Sequence, residues 1–458
     1  MKRIVLSAAV LAAFCIASAG AAPVRSPNYF KAGEKICMIG DSIAHGGFYT
    51  ENILLFYATR YPHAKIFFCN AGMSGQGVGG VWNRLKWDVY ERYVPDTCII
   101  MIGMNDAPRG MYAEGVRGTP KALARIESFH KNYPAVFDKV LASLTENCKR
   151  VVVFTPSIFD QTVQSKRENL LGCNDALGWA AEANKAAAKK YGAEVVDIWS
   201  YMTEMNGRYQ QSDPTRSFID FDRVHPRDLG GFVMMAKVVS DWRESGLVSE
   251  IRIDAAKNTA DCENAEVSNL RIAPGRITFS AVEGALPFPT SAQKDEADKV
   301  LGFLPAFNRE ILQVGNLNSG KYSLKIDGVS IGEFSASQLA SGVNLALCKN
   351  TPQYGQAKGV EKLSKAWRAK AAEHRDIVGF EIWVLKKRFD STQAYLDETQ
   401  RRIDAKELKN ENQIKWAARY MKNKPREAEI MRARDEAFEA VYSAAKPAVH
   451  NFELTAVR

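Results

Sequence analysis

The stretch KICMIGDSIAHGG, residues 35–47, decides how the chain is interpreted. Its apolar run stops at Gly40, which is typical of a buried strand that runs into a turn. The turn then presents a hydroxyl at Ser42 and an imidazole at His45. The two groups lie three residues apart, which raises the question whether they are a nucleophile and its base.

Four more apolar runs follow, with helical patterns between them. They are AKIFFCNAG (64–72), DTCIIMIGMND (96–106), KRVVVFTPS (149–157) and AEVVDIW (193–199). They are rich in Val, Ile and Phe on both faces, as expected where helices cover both sides of a sheet. Strands that alternate with helices predict an α/β domain with a mainly parallel five-stranded sheet and right-handed crossovers.

Polar or small residues stand at the ends of the first three runs. Ser42 follows the first run, Gly72 ends the second and Asn105 lies at the end of the third. Ligands of such sheets bind outside the carboxyl ends of the strands. We therefore expect these residues to converge on one rim, although they lie far apart in the sequence.

A second histidine offers a better base than His45. In DFDRVHPRDLGG, Asp222 precedes His225 by three residues, in a turn before an amphipathic helix. This spacing lets the carboxylate reach Nδ1 and leaves Nε2 free to face Ser42. The alternative is that Asp222 and His225 only cap the following helix. His45 has no obvious orienting acid, and it is expected at most to contact a substrate.

The set of motifs resembles the SGNH (GDSL-like) hydrolase superfamily. The blocks IGDSIAHGG, NAGMSGQGV, IGMNDA and DRVHP appear in the family's order over residues 35–242. The second block is the least specific of the four. The resemblance implies a three-layer α/β/α sandwich and a serine esterase that needs no cofactor.

The resemblance also assigns roles to residues. It implies a catalytic triad in which Ser42 is the nucleophile, His225 the base and Asp222 the orienting acid. It implies oxyanion donors from the Ser42 and Gly72 amides and the Asn105 side chain. An amide nitrogen donates and cannot act as a base, which agrees with the role given to Asn105.

Other polar and aromatic residues near these motifs have simpler explanations. Asp41 and Asp106 are expected to form structural hydrogen bonds in their loops. Trp82 and Trp87 could stack on a sugar ring, but packing is the commoner explanation at helical spacing. No C-x-x-C or H-x-x-x-H pattern predicts a metal site.

The N-terminal segment is typical of a signal peptide. Residues 1–22 contain a basic start, a short apolar core and the small-residue site Ala19-Gly20-Ala21. The apolar core is short for a membrane-spanning helix, and no later stretch is apolar enough to cross a membrane. The sequence therefore predicts a secreted or periplasmic protein.

The second half of the chain follows a different pattern. The hydrolase domain is expected at residues 33–247, and residues 265–458 alternate and turn like a small β-module. A charged helical segment at about 357–445 interrupts the module before a last strand, HNFELTAV. Residues 351–450 hold 21 Lys and Arg against 15 Asp and Glu. A solvated helical face is the favoured interpretation, with an anionic partner as the alternative.

Together these patterns predict a secreted esterase that removes acyl groups, foremost O-acetyl groups, from carbohydrate. The substrate is expected to be a small-molecule or polysaccharide ester, and no nucleic-acid partner is expected. A lipase or lysophospholipase is the enzymatic alternative. A glycan-binding surface protein without catalysis is the alternative from another class, but binding alone gives no reason for the complete set of four motifs.

Overall fold

The computed structural model describes residues 22–457 of the 458-residue chain. The predicted signal peptide at residues 1–22 therefore lies almost entirely outside the described residues. Within the described range, no helix combines the length and the apolar character needed to span a bilayer.

The first domain is built on a five-stranded sheet in which all strands run parallel. The strands are β1 (Lys35–Gly40), β2 (Phe67–Gly72), β3 (Thr97–Met101), β4 (Arg150–Phe154) and β5 (Glu194–Val196). Residues 36–39 of β1 are completely buried because helices cover both faces of the sheet. The predicted parallel five-stranded sheet is confirmed.

Helices connect these strands. They are α1 (Ser42–Gly46), α2 (Phe48–Arg60), α3 (Val78–Trp82), α4 (Glu91–Tyr93), α5 (Pro120–Asn147), α6 (Cys173–Tyr191), α7 (Ile198–Gln210) and α8 (Arg227–Asp241), with a π-helical turn at Leu85–Tyr90. Thr119 starts α5 by accepting a hydrogen bond from the Ala122 N–H. Gly192, with φ +66°, ends α6 in the left-handed conformation.

The order of the strands determines where a ligand site is expected. The order across the sheet is β2-β1-β3-β4-β5, so the chain leaves β1 in one direction and β3 in the other. Right-handed crossovers then put α2 and α8 on one face and α5 and α6 on the opposite face. The reversal opens a crevice at the carboxyl ends of β1 and β3. Ser42 follows β1 at this crevice, and Asn105 follows β3.

Two further sheets form the β-module. Their strands are β6 (Leu247–Asp254), β7 (Thr259–Glu263), β8 (Ala265–Ala273), β9 (Arg276–Glu283), β10 (Arg309–Gly315), β11 (Lys321–Ile326), β12 (Val329–Ser335), β13 (Val343–Asn344) and β14 (Val449–Ala456). One sheet has the order β13-β10-β6-β7 and the other β12-β11-β14-β9-β8. Because β6 and β7 already belong to it, the module begins near residue 247 and not at the predicted residue 265.

Short helices accompany these strands, and longer ones follow β13. The short helices are α9 (Ala292–Leu301), α10 (Phe303–Phe307) and α11 (Ala336–Ser341). The longer ones are α12 (Pro352–Phe380), α13 (Thr392–Asp404), α14 (Glu411–Asn423) and α15 (Glu427–Ala444), with a π-helical turn at Glu381–Leu385. Strand β14 returns to the centre of its sheet, so α12 to α15 are inserted into the module.

The inserted helices also contact the first domain. Helix α12 packs against α2 and β2. Its residues Trp367, His374 and Arg375 are at most 2 % exposed. The interpretation of this basic segment as a solvated face is therefore wrong for α12, whose inner side is a domain interface.

Candidate active site

Ser42 is held at the junction of β1 and α1. Asp41 caps α1, since its Oδ1 accepts a hydrogen bond from the Ile43 N–H at 2.9 Å. Asp41 is buried, and burial together with the nearby Asp106 carboxylate raises its pKa to about 7. Its carboxyl group supports the turn, as expected from the sequence. Ser42, the first residue of α1, is half-buried at the crevice.

The turn before α8 brings the predicted base to Ser42. His225 Nε2 lies 2.8 Å from Ser42 Oγ, and His225 Nδ1 lies 2.5 Å from Asp222 Oδ2. Asp222 Oδ1 accepts the backbone N–H groups of Val224 and His225, each at 2.9 Å. Burial acts to raise the pKa of Asp222, but these backbone and ring hydrogen bonds outweigh it and lower the pKa.

This arrangement fixes the direction of proton flow. The ionised Asp222 accepts from Nδ1 of His225, so the neutral ring carries its proton there and its Nε2 accepts from the Ser42 hydroxyl. A serine in this position can attack a carbonyl carbon while His225 takes its proton. The structure brings together the three residues predicted from the two distant motifs.

Asn105 follows β3 at the carboxyl edge of the sheet. Its Nδ2 donates to the Gln76 carbonyl at 3.0 Å, and its Oδ1 accepts from Arg109 at 3.3 Å. These contacts fix the orientation of the amide. Since the amide nitrogen carries two protons, one N–H remains for a ligand in the crevice.

Gly72 is placed differently from the prediction. Its N–H donates to Asn70 Oδ1 at 2.9 Å, so this amide is not free to bind an oxyanion. A Cβ at position 72 would lie 2.1 Å from the His45 nitrogen, which explains the glycine as a close packing contact between β2 and α1. The geometry corrects the donor role assigned to Gly72.

The neighbouring loop offers another donor that the sequence reasoning missed. Gly75 is exposed, with φ +78°, and its N–H has no hydrogen-bond acceptor among the residues that the structure describes. The amides on either side of it are engaged: the Ser74 N–H contacts His45 and the Gln76 N–H binds the Met73 carbonyl. The repeated glycines of GMSGQG were the available signal.

His45 holds this loop. Its Nδ1 accepts from the Ser74 N–H at 3.2 Å and lies 2.9 Å from Ser74 Oγ. Burial, helped by the charges of Arg375 and Arg84, lowers the pKa of His45 to about 4. His45 is not among the residues that line the cavity beside Ser42. The expected substrate contact by His45 stays a prediction.

The cavity beside Ser42 is small and mainly apolar. Its volume is about 30 Å³, and its walls include Phe48, Tyr49 and Pro226 together with Gly46. A space of this size suits a short group better than an extended chain.

A buried ionic network joins helix α12 to the crevice. Arg375 donates to both oxygens of Asp88, at 2.7 and 3.0 Å, and to the Gly72 carbonyl at 3.1 Å. Arg84 contacts the same carboxylate at 2.8 Å and donates to the Gly40 carbonyl at 3.2 Å. Burial would raise the pKa of Asp88, but the two guanidinium groups lower it. The ends of β1 and β2 are thus tied to a residue from the inserted helices.

Comparison with solved structures shows where the architecture recurs. The structure described as BT4096, a gut microbial diltiazem-metabolizing enzyme, shares 25% identity, with a TM-score of 0.83, over 93% of this chain and 98% of that chain. The acetylxylan esterase Axe2 from Geobacillus stearothermophilus shares 21% identity, with a TM-score of 0.37, over 46% of this chain and 95% of that chain. The comparison with curated proteins found no match.

The fold and the family match together indicate an enzyme that hydrolyses ester bonds and is similar to the SGNH-type hydrolases. Residues 38–231 match the GDSL-like Lipase/Acylhydrolase family. Over these residues the first domain is similar to that family. The similarity to BT4096 extends over nearly the whole chain, so the β-module and its inserted helices belong to a shared architecture.

Proposed function

We propose that the protein is a serine esterase that removes short acyl groups, foremost acetyl, from carbohydrate hydroxyls. The observation that carries the proposal is the unbroken hydrogen-bond chain from Ser42 through His225 to Asp222. A protein that only binds glycans has no need of this chain. The small cavity beside Ser42 favours a short acyl group over the fatty acyl chain of a lipase or lysophospholipase substrate.

In the proposed mechanism Ser42 Oγ attacks the ester carbonyl while His225 Nε2 accepts its proton. Asp222 holds the ring and stabilises the imidazolium that forms. The oxyanion is bound by the free Asn105 N–H, the Ser42 amide and the Gly75 amide. His225 then protonates the leaving alcohol, and water hydrolyses the acyl-enzyme by the same steps in reverse.

The proposal is tested by measuring hydrolysis of p-nitrophenyl esters. The protein used is the chain that begins after the predicted signal peptide. Ser42→Ala should lower kcat by at least about 10⁴-fold, while Ser240→Ala, at an exposed serine of α8, should keep full activity. The value of kcat/KM should fall from acetate to butyrate to octanoate. Equal activity in Ser42→Ala and the wild type would refute the catalytic role, and a preference for octanoate would favour the lipase alternative.

We also propose export, on the signal-peptide pattern of residues 1–22. Expression of the full chain in a bacterial host, followed by cell fractionation and N-terminal sequencing, tests this. A cleaved protein outside the cytoplasm that starts near residue 22 is expected. An uncleaved chain in the cytoplasm would reject export.

A further inference from the structure

A larger cleft lies between the first domain and the inserted helices. It has a volume of about 340 Å³, within the range of about 300–1,000 Å³ that is common for ligand sites. Gln76, Arg84 and Trp87 line one side, and the segment from Glu381 to Arg388 lines the other. The proposed catalytic chemistry does not use it.

This cleft adjoins the loop at the active site. Trp383 Nε1 donates to the Ser74 carbonyl at 3.1 Å, and a Cβ on Gly75 would lie 3.7 Å from the Trp383 ring. Gln76 lines the cleft, and its carbonyl accepts the hydrogen bond from Asn105. The loop therefore contacts the cleft through Trp383 and the candidate active site through Asn105.

The cleft combines an aromatic surface with positive charge. Trp383 is 40 % exposed, and its ring is held in place by the hydrogen bond from its indole N–H to Ser74. Lys386 and Lys387 line the cleft and make no ion pair with any described residue. Arg388 lies over Trp87, with its guanidinium carbon 5.5 Å from the ring centroid.

The acidic groups near the cleft are already compensated. Glu381 is 5 % exposed, and its carboxylate lies 2.6 Å from the Lys424 ammonium. Arg388 contacts Glu91 at 3.1 Å on the surface. The two lysines thus leave a net positive rim around an indole surface, which complements a flat, partly apolar ring that carries negative charge.

We propose that this cleft binds an anionic sugar ring, carrying a carboxylate or a sulfate, of the same glycan whose acyl group reacts at Ser42. The C–H face of the sugar lies on Trp383, and its negative group faces Lys386 and Lys387. The inference rests on the proposed esterase function, because it extends the substrate of that site. It names acidic acylated glycans as the substrate class.

Measuring the binding of oligosaccharides to the Ser42→Ala protein tests the proposed cleft, because this variant should not hydrolyse its ligand. The probes are trigalacturonate, a sulfated carrageenan oligosaccharide and neutral xylotriose, measured by calorimetry. At least one anionic probe should bind about tenfold more tightly than xylotriose, and about 0.5 M salt should remove the difference. Equal affinity for the three probes would overturn the proposal, and the better anionic probe identifies the charged group.

Substitutions of residues that line the cleft test whether the probes bind there. Lys386→Gln combined with Lys387→Gln should weaken the anionic probe about tenfold, and Trp383→Ala should weaken both the anionic and the neutral probe. Lys257→Gln combined with Lys321→Gln removes the same charge from exposed sites on the β-module and should change neither affinity. Unchanged affinity in the Lys386/Lys387 variant would also overturn the proposal.

The esterase and the cleft can fail separately. Hydrolysis of p-nitrophenyl acetate, which carries no sugar, tests the chemistry at Ser42 alone. Loss of that activity with retained anionic-sugar binding would reject the esterase and keep the cleft. Retained hydrolysis with no preference among the three probes would reject the cleft and keep the esterase.

Discussion

Two loops border Ser42, and different parts of the chain hold them. The turn at residues 220–226 is held within the first domain: Asp222 binds His225, and Arg223 donates to the Asp160 carbonyl at 2.8 Å. The Arg223 backbone has φ +65°, an unfavourable conformation for a residue other than glycine. Its buried side chain stabilises this conformation.

The loop at residues 73–77 depends on distant residues instead. Trp383 binds the Ser74 carbonyl, and Arg375 binds the Gly72 carbonyl where the loop begins. Both come from the inserted helices, about 300 positions away in the sequence. The turn at residues 220–226 is therefore held by the first domain alone, whereas the loop with the free Gly75 amide is held by two parts of the chain.

The largest expected effect concerns the turn. Asp222→Asn should lower kcat about 10⁴-fold, because the amide no longer holds the His225 ring with Nε2 free to accept a proton. The melting temperature should change little if the turn only orients the ring. Asp213→Asn, at another partly exposed turn, should keep its activity. Comparable losses in both variants would contradict a specific role for Asp222.

The next effect concerns the shared loop. Arg375→Met should lower the free energy of unfolding by about 3–5 kcal/mol, because it leaves the buried Asp88 carboxylate with fewer cationic partners. Arg401→Met breaks exposed ion pairs with Glu398 and Glu407 and should cost at most about 1 kcal/mol. Urea unfolding measures both. A small cost at Arg375 would mean that the inserted helices hold the loop only weakly.

A smaller effect is expected from His45→Ala. Loss of the contact to Ser74 should lower kcat/KM about tenfold, since the loop that carries Gly75 becomes less ordered. With its pKa near 4, His45 is neutral above about pH 5. The ratio of the wild-type to the His45→Ala value of kcat/KM should therefore be constant from about pH 5 to 8. A loss as large as that of His225→Ala would reverse the assignment of the base. His63→Ala, at an exposed histidine, is the matched control.

A separate effect is the pH dependence of stability. The pKa of His45 falls from 6.5 to about 4 on folding, so the unfolded chain binds the proton first on acidification. The wild type should therefore lose stability as the pH falls from about 6.5 to about 4. His45→Ala should lose less over the same range. Equal losses in urea unfolding at several pH values would mean that the ring is not protected from protonation.

The sequence predicted the parallel sheet and the convergence of Ser42 with Asp222 and His225 for physical reasons. Apolar runs between helices imply parallel strands, and the carboxyl ends of such strands share a rim. The spacing of Asp222 and His225 sets a contact within one turn. These inferences need only local patterns and one rule of topology.

The remaining features depend on contacts between distant residues. The Gly72 N–H donates its hydrogen bond to the side chain of Asn70. No short motif shows which glycine N–H in this region remains free for a ligand. Arg375 looked like one charge among many on a basic helix, because its buried partner Asp88 lies 287 positions earlier. Charge counts cannot separate a buried ion pair from a solvated face.

The central position of β14 has a consequence for how the chain folds. Ser280 on β9 and Asn451 on β14 are neighbours although they lie 171 positions apart, so this pairing has a high contact order. Closing so long a loop is slow, and we expect β14 to dock late. Until then β9 and β11 each present an unpaired edge, which is the state in which a folding chain is most prone to aggregate.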